Sequence, residues 1–180
     1  MDQEERPAPN EDAPLLRLQV LGGCSLQGSS LNRGKPLALL ALLATTPGGI
    51  SREAAAGMLW PESSASAARG GLRQALHQLR RHLPAREEGP VVMGDRTLLR
   101  LNPDYPLDAD VVRFMEAAYA GPEAMDEHLQ RGVEAYRGSF LHGFHLGGDT
   151  PFDEWVADQR VWLREQARLL LLEDLSHRAP

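Results

Sequence analysis

The chain has 180 residues, is 42% hydrophobic and 24% charged, and carries a formal net charge of −6; it is long enough for one sizeable domain or two small ones and too apolar for wholesale disorder. Its single cysteine, Cys24, excludes an intrachain disulfide and fits a reducing cytoplasm. No apolar run approaches the roughly 20 residues a bilayer requires, and the opening "MDQEERPAPNEDAP" is acidic and Pro-rich rather than basic then apolar, so neither a membrane span nor a secretory leader is expected.

Residues 1–14 are read as a disordered acidic tail. "LLRLQVL" (15–21), closed by Gly22-Gly23, predicts a strand, and "CSLQG" and "SSLN" with their turn residues predict a small β-meander. "KPLALLALLATTPGG" (35–49) predicts a helix with Pro36 in its first turn, Leu39, Leu40, Leu42 and Leu43 buried, and a stop at Pro47-Gly48-Gly49. "SREAAAGMLW" (51–60) predicts a second helix capped by Ser51, with Glu53 near its positive end and Pro61 after its last residue. "SASAARGGLRQALHQLRRHLP" (64–84) predicts a third, ended by Pro84. "VVMGDRTLLRL" (91–101) predicts two strands joined by a two-residue turn at Gly94-Asp95. After the Pro- and Asp-rich joint "NPDYPLDAD", helices are expected over 109–120, 122–138 and 151–175, with a loop over 139–150.

The negative total hides a division. Residues 15–107 hold 11 basic and 6 acidic residues, whereas 108–180 hold 7 and 14, and the tail is acidic. Three units are therefore expected: a tail (1–14), a basic unit (15–107) and an acidic helical unit (108–180). The order strands, three helices, hairpin is that of a winged helix, in which the third helix enters the DNA major groove and the hairpin, or wing, lies along the backbone.

The third helix can be read residue by residue. At 100° per residue, Ala68, Leu72, Ala75, Leu76, Leu79 and Leu83 form an apolar stripe. Gln74, His77 and Arg81 fall opposite it, Arg73 on its flank, and Arg69 and Arg80 nearer the boundary, where long stems reach outward. Arg can grip guanine O6 and N7 with two hydrogen bonds, Gln can do the same for adenine, and Arg also binds phosphate. No carboxylate occurs between residues 63 and 86. A face that merely solubilises a helix usually mixes both signs, so DNA contact is the stronger reading. Arg73, Gln74, His77 and Arg81 are the candidate groove readers. Arg69, Arg80, Arg96 on the wing and Arg52 at the start of the second helix are the candidate phosphate ligands. Gly70 and Gly71 each cost roughly 1 kcal/mol in a helix interior; either the helix starts near Leu72 or its backbone approaches DNA closely.

The stretch "GKPLALLALLATTPGGISREAAAGMLWPESSASAARGGLRQALHQLRRHL" closely resembles the DNA-binding domain of the SARP family of bacterial transcriptional activators, an OmpR-like winged helix. "LLRLNPDYPLDADVVRF" resembles the hand-over to that family's bacterial transcriptional activation domain, and "EAYRGSFLHGF" and "EWVADQRVWLREQARLLLLEDL" resemble its start. The resemblance covers 15 to about 175 and departs from the family at Gly70-Gly71. It implies an α+β winged helix-turn-helix followed by an all-α, tetratricopeptide-like domain, here truncated because the family's helical domain normally runs further. It also implies an activator that binds promoter direct repeats in double-stranded DNA as side-by-side pairs and recruits RNA polymerase holoenzyme.

Chemistry of other kinds finds little footing. His142, His145 and Asp149 could be weighed as metal ligands, but they lie in a Gly-rich loop without the tight set a zinc site offers. There is no G-x-S-x-G elbow and no G-x-x-x-x-G-K-[ST] phosphate loop. Cys24 reads as a packing residue and Trp60, Trp155 and Trp162 as core. No enzyme activity, cofactor or metal is expected. Two rivals remain: a protein-interaction module whose winged helix no longer touches DNA, and the non-catalytic front of a larger signalling enzyme. Two expectations concern the acidic half. Its apolar last helix should be a packing or oligomerisation surface, part of its stripe exposed or buried by a second copy in a homodimer, and its charge should weaken DNA binding, so that 15–107 alone binds non-specific DNA at least as tightly as the whole chain.

Overall fold

The computed structural model describes residues 16–83, 85–120 and 125–178. The expected tail (1–14), the helix stop at Pro84 and the first residues of the helix expected over 122–138 lie outside them. The described chain is mixed α+β, a winged helix-turn-helix followed by a helical segment. Its elements run β1 (Leu16–Gln19), β2 (Ser25–Gln27), α1 (Lys35–Ala44), β3 (Ile50–Ser51), α2 (Arg52–Leu59), α3 (Ala65–His82), β4 (Val92–Gly94), β5 (Leu98–Leu101), β6 (Leu107–Ala109), α4 (Asp110–Tyr119), α5 (Met125–Ala135) and α6 (Pro151–Arg178). No helix among the described residues is long and apolar enough to cross a membrane.

Two three-stranded sheets frame the helices. In the first, β1 is central, antiparallel to β2 with Leu18 opposite Leu26 and parallel to β6 with Leu16 opposite Leu107. In the second, β5 is central, antiparallel to β4 and to the two-residue β3. α1 is buried on every side from Pro36 to Ala44, not only along the expected leucines. A ten-residue helix with no charged residue after Lys35 can sit only at the centre.

Three expectations need correction. "SSLN" is not a strand, since β1 finds its second partner far along the chain in β6 rather than in a local meander. The joint over 102–110 is not a linker, because Leu107–Ala109 is that strand. The wing turn does not fall at Gly94-Asp95: Gly94 closes β4 opposite Leu99, the Asp95 N–H donates to the Leu98 carbonyl (3.1 Å), and Arg96 and Thr97 stand at the tip, where the Asp95 carboxylate accepts from the Thr97 and Leu98 N–H groups.

The helical segment is tied into the first sheet. Asp110, almost fully buried at the start of α4, accepts hydrogen bonds from the backbone N–H groups of Val20 (3.0 Å), Leu21 (2.9 Å) and Val111 (2.7 Å). The Leu141 N–H donates to the Val20 carbonyl (2.7 Å) and Gly22 N–H to the Ser139 carbonyl (3.1 Å), so residues 139–141 lengthen the sheet edge. Arg160 of α6 then clamps this stretch, its Nε donating to the Phe140 carbonyl and its Nη2 to that of Leu141. One apolar core runs from Leu16 through α1 and α3 to Phe114, Phe152 and Leu163, across the expected division at 107/108. α6 begins with a reciprocal cap, Thr150 and Asp153 bonding to each other's backbone and side chain, with Pro151 at its first position.

Candidate nucleic-acid interface

α2, α3 and the wing form the candidate site, and each is locally anchored. The Ser51 hydroxyl accepts from the Ala54 N–H (3.0 Å) and starts α2, while the Ser64 hydroxyl accepts from the Ala67 N–H (3.3 Å) and starts α3. α3 therefore begins at Ala65, which removes the alternative of a start near Leu72. Ala68, Leu72, Ala75, Leu76 and Leu79 are buried, with Leu83 closing the stripe. Arg69, Arg73, Gln74, His77, Arg80 and Arg81 are all exposed.

The two glycines differ in cause. A Cβ on Gly71 would lie 2.5 Å from Trp60 Cε2 and 2.6 Å from its Nε1, so the missing side chain is the seat of the Trp60 indole. A Cβ on Gly70 would meet only Arg73 Nη2, at 3.8 Å. Trp60 ends α2, and its ring is capped on one face by the Lys35 ammonium, 4.8 Å from the centroid. The residue that caps α2 thus packs its indole directly on α3. Nothing in the hydrophobic periodicity of α3 announces this seat; Gly71 sits where an ordinary helix former would serve the pattern equally well.

The wing is fixed at both ends. Asp95 Oδ1 accepts from the Thr97 N–H (2.7 Å), the Thr97 hydroxyl (2.8 Å) and the Leu98 N–H (2.9 Å). Those hydrogen bonds, the Leu98 one foremost, bring its pKa down to about 2. A Cβ on Gly94 would strike the Leu98 carbonyl, so only glycine fits that last strand position. Arg96 stands exposed at the tip. Arg52 is tied to the wing: its backbone N–H donates to the Thr97 carbonyl and its Nε to the Asp95 carbonyl, both at 2.7 Å. At the base, the buried Asn102 donates to the carbonyls of Glu88 (2.8 Å) and Pro90 (3.1 Å), a lock that sequence reading missed and that the turn residues "NPD" hint at.

Between α3 and the wing runs a cleft of about 300 Å³ lined by Arg52, Leu76, Arg80, Met93 and Leu99 among others. Arg52 and Arg80 thus meet at the groove between helix and wing. Arg73, Gln74, His77 and Arg81 lie on the open face of α3, and Arg96 lies at the far end of the wing. His142, His145 and Asp149 are exposed in the loop before α6. Trp155 and Trp162 pack against the core, Trp155 edge-on to Phe140 at 5.7 Å and Trp162 beside Tyr119 at 5.9 Å.

No family model matches the chain, and no curated protein does. Among solved structures, the fold is similar to that of Mycobacterium tuberculosis EmbR in complex with a low-affinity phosphopeptide, with a TM-score of 0.61 and 24% identity. The likeness covers 87% of this chain and 43% of that one, so the chain spans less than half the length of EmbR. What the two share is the fold: a winged helix-turn-helix continued by helices.

Proposed function

We propose that the chain is a sequence-specific DNA-binding transcriptional regulator of the SARP type, without enzymatic activity, which acts at promoter direct repeats and engages RNA polymerase. The observation that carries this reading is the outer face of α3: six exposed polar and basic side chains, no carboxylate between residues 63 and 86, and a wing beside them. Arg73, Gln74, His77 and Arg81 read base edges in the major groove, Arg being suited to guanine and Gln to adenine. Arg69, Arg80 and Arg96 neutralise phosphates. Arg52, whose Nε is already held by the wing, offers its remaining N–H groups at the cleft mouth. The sequence resemblance and the shared fold with EmbR support the same reading; activation rather than repression, and polymerase as the second partner, rest on the resemblance. A binding-site selection with random duplexes and the full chain tests it. A motif repeated in one direction is expected to enrich, and a selection that enriches no motif would leave the winged helix as a protein-interaction module instead.

A further inference from the structure

An open cleft of about 570 Å³ lies between the start of α1 and the loop before α6, away from the residues assigned to DNA. Its walls come from two stretches far apart in the chain. Arg33 and Lys35 line it from the segment that opens α1, and His142 and His145 from the loop that follows Leu141. Phe144 and Leu146, half-buried and packed on the core, give it an apolar side. No carboxylate is among its described lining residues. Cys24, which also lines it, adds no charge, because burial first and the Asp110 carboxylate second push its thiol up to about 12.

Four basic side chains around one concavity, with no carboxylate among them, suit a multiply charged anion. The apolar side suits a ring, and the volume falls within the roughly 300–1,000 Å³ of small-molecule sites. We propose that this cleft binds a phosphorylated, ring-bearing small molecule of nucleotide size, its phosphates held by Arg33 and Lys35 and its ring set against Phe144. Occupancy has a route to α3. The same Lys35 caps the Trp60 ring, and that ring is seated on Gly71 in the middle of the helix. A phosphate that draws Lys35 toward the cleft weakens its hold on Trp60 and loosens the seat of α3. The site stands without the DNA-binding reading; only the effect on DNA affinity rests on it.

Calorimetric titration of the full chain with metal-free ADP and with inorganic tripolyphosphate, in the absence of DNA, tests the site. ADP is expected to saturate at one molecule per chain and tripolyphosphate to compete with it. Arg33→Glu and His145→Glu alter exposed residues, so both variants should melt like wild type. Arg33→Glu should weaken ADP at least tenfold and His145→Glu several-fold, whereas Arg73→Ala should leave it unchanged. The indole N–H resonance of Trp60 should shift on saturation; an unmoved resonance would overturn the coupling. No heat from either probe, or full ADP affinity in Arg33→Glu, would overturn the site. Phosphate is also the chemistry of the DNA backbone. If duplex DNA expels ADP and Arg33→Glu weakens duplex binding as much as Arg73→Ala does, the cleft is a backbone contact and the small-molecule proposal fails.

Discussion

Gly70 and Gly71 stand side by side inside α3, and each forfeits about 1 kcal/mol of helix stability relative to Ala. At Gly70 the added Cβ meets open space apart from one Arg73 nitrogen at 3.8 Å. Gly70→Ala should therefore raise stability by up to about 1 kcal/mol, roughly 2–4 °C in Tm for a chain of this size. Gly71→Ala gains the same propensity but sets its Cβ 2.5, 2.6 and 2.9 Å from three atoms of the Trp60 indole. Overpacking of this kind costs about 1–3 kcal/mol, so the expected net effect is a loss of up to about 2 kcal/mol. Replacing the indole separates the two contributions. On a Trp60→Ala background the obstacle is gone, and Gly71→Ala should become stabilising, a coupling of about 1–3 kcal/mol between the two positions. Thermal and urea unfolding of the four variants and wild type measure all of it. If Gly71→Ala stabilises the wild-type chain as much as Gly70→Ala does, the indole does not rest on Gly71, and the route from Lys35 to α3 is lost with it.

Asp110→Ala should cost about 2–5 kcal/mol by leaving the buried Val20 and Leu21 N–H groups without an acceptor. Asp110→Asn, which keeps an oxygen, should lose less than half of that in the same urea titrations, and equal losses would refute the hydrogen-bond account. For the same reason a piece ending at Leu107 should melt well below the full chain or not fold at all, since it lacks most of β6 and all of Asp110. That outcome, read by circular dichroism, would overturn the expectation that 15–107 binds DNA unaided. The Asp95 pKa is lowered from 3.8 to about 2, so its hold on the wing tip is fully present above pH 3.8 and is lost as pH falls through 2. Thr97 and Leu98 amide resonances should titrate with a midpoint of about 2, and a midpoint at the ordinary aspartate value would contradict the hydrogen-bonded turn. Finally, Val161, Leu169, Leu171, Leu172 and Leu175 are exposed on α6, which predicts association with rising concentration in sedimentation velocity, abolished by Leu172→Arg. A strictly monomeric wild type would count against it.

What could be read in advance follows from the range of the interactions. The core stripe of α3 and its polar face were legible because a helix repeats every 3.6 residues, and Leu72, Leu76 and Leu79 mark that period. Ser51 announced itself as a cap by standing just before its helix, whereas the Ser64 cap of α3 was not singled out. β6 did not. It is three residues, Leu107, Asp108 and Ala109, with no alternation to detect, and it is a strand only because β1 lies beside it. Asp108 makes sense in place, flanked by Arg17 across the strand pair at 3.6 Å and by Arg113 one helical turn on. Asp110 was equally silent, since a buried carboxylate is recognised by partners that are some 90 positions away. The cleft at the start of α1 was hidden for the same reason. His142 and His145 read as a weak metal motif alone, and only the fold sets them opposite Arg33 and Lys35.

The most direct test of the central claim is duplex binding by Arg73→Ala and Arg81→Ala, measured by gel shift on the selected site and on unrelated DNA at several salt concentrations. The two side chains are separated by about 12 Å of helix axis, within reach of neighbouring base pairs or their phosphates. A variant that has lost a bidentate guanine contact should bind the selected site about 1–3 kcal/mol more weakly and relax preference at one position. One that has lost a phosphate contact should weaken on all sequences alike, with a salt slope lower by about one unit. Leu76→Ala is the contrast: buried on the opposite side, it should lose about 2–5 kcal/mol of fold stability. If Arg73→Ala and Arg81→Ala both fold and bind the selected site with wild-type affinity and salt dependence, α3 is not the element that reads DNA.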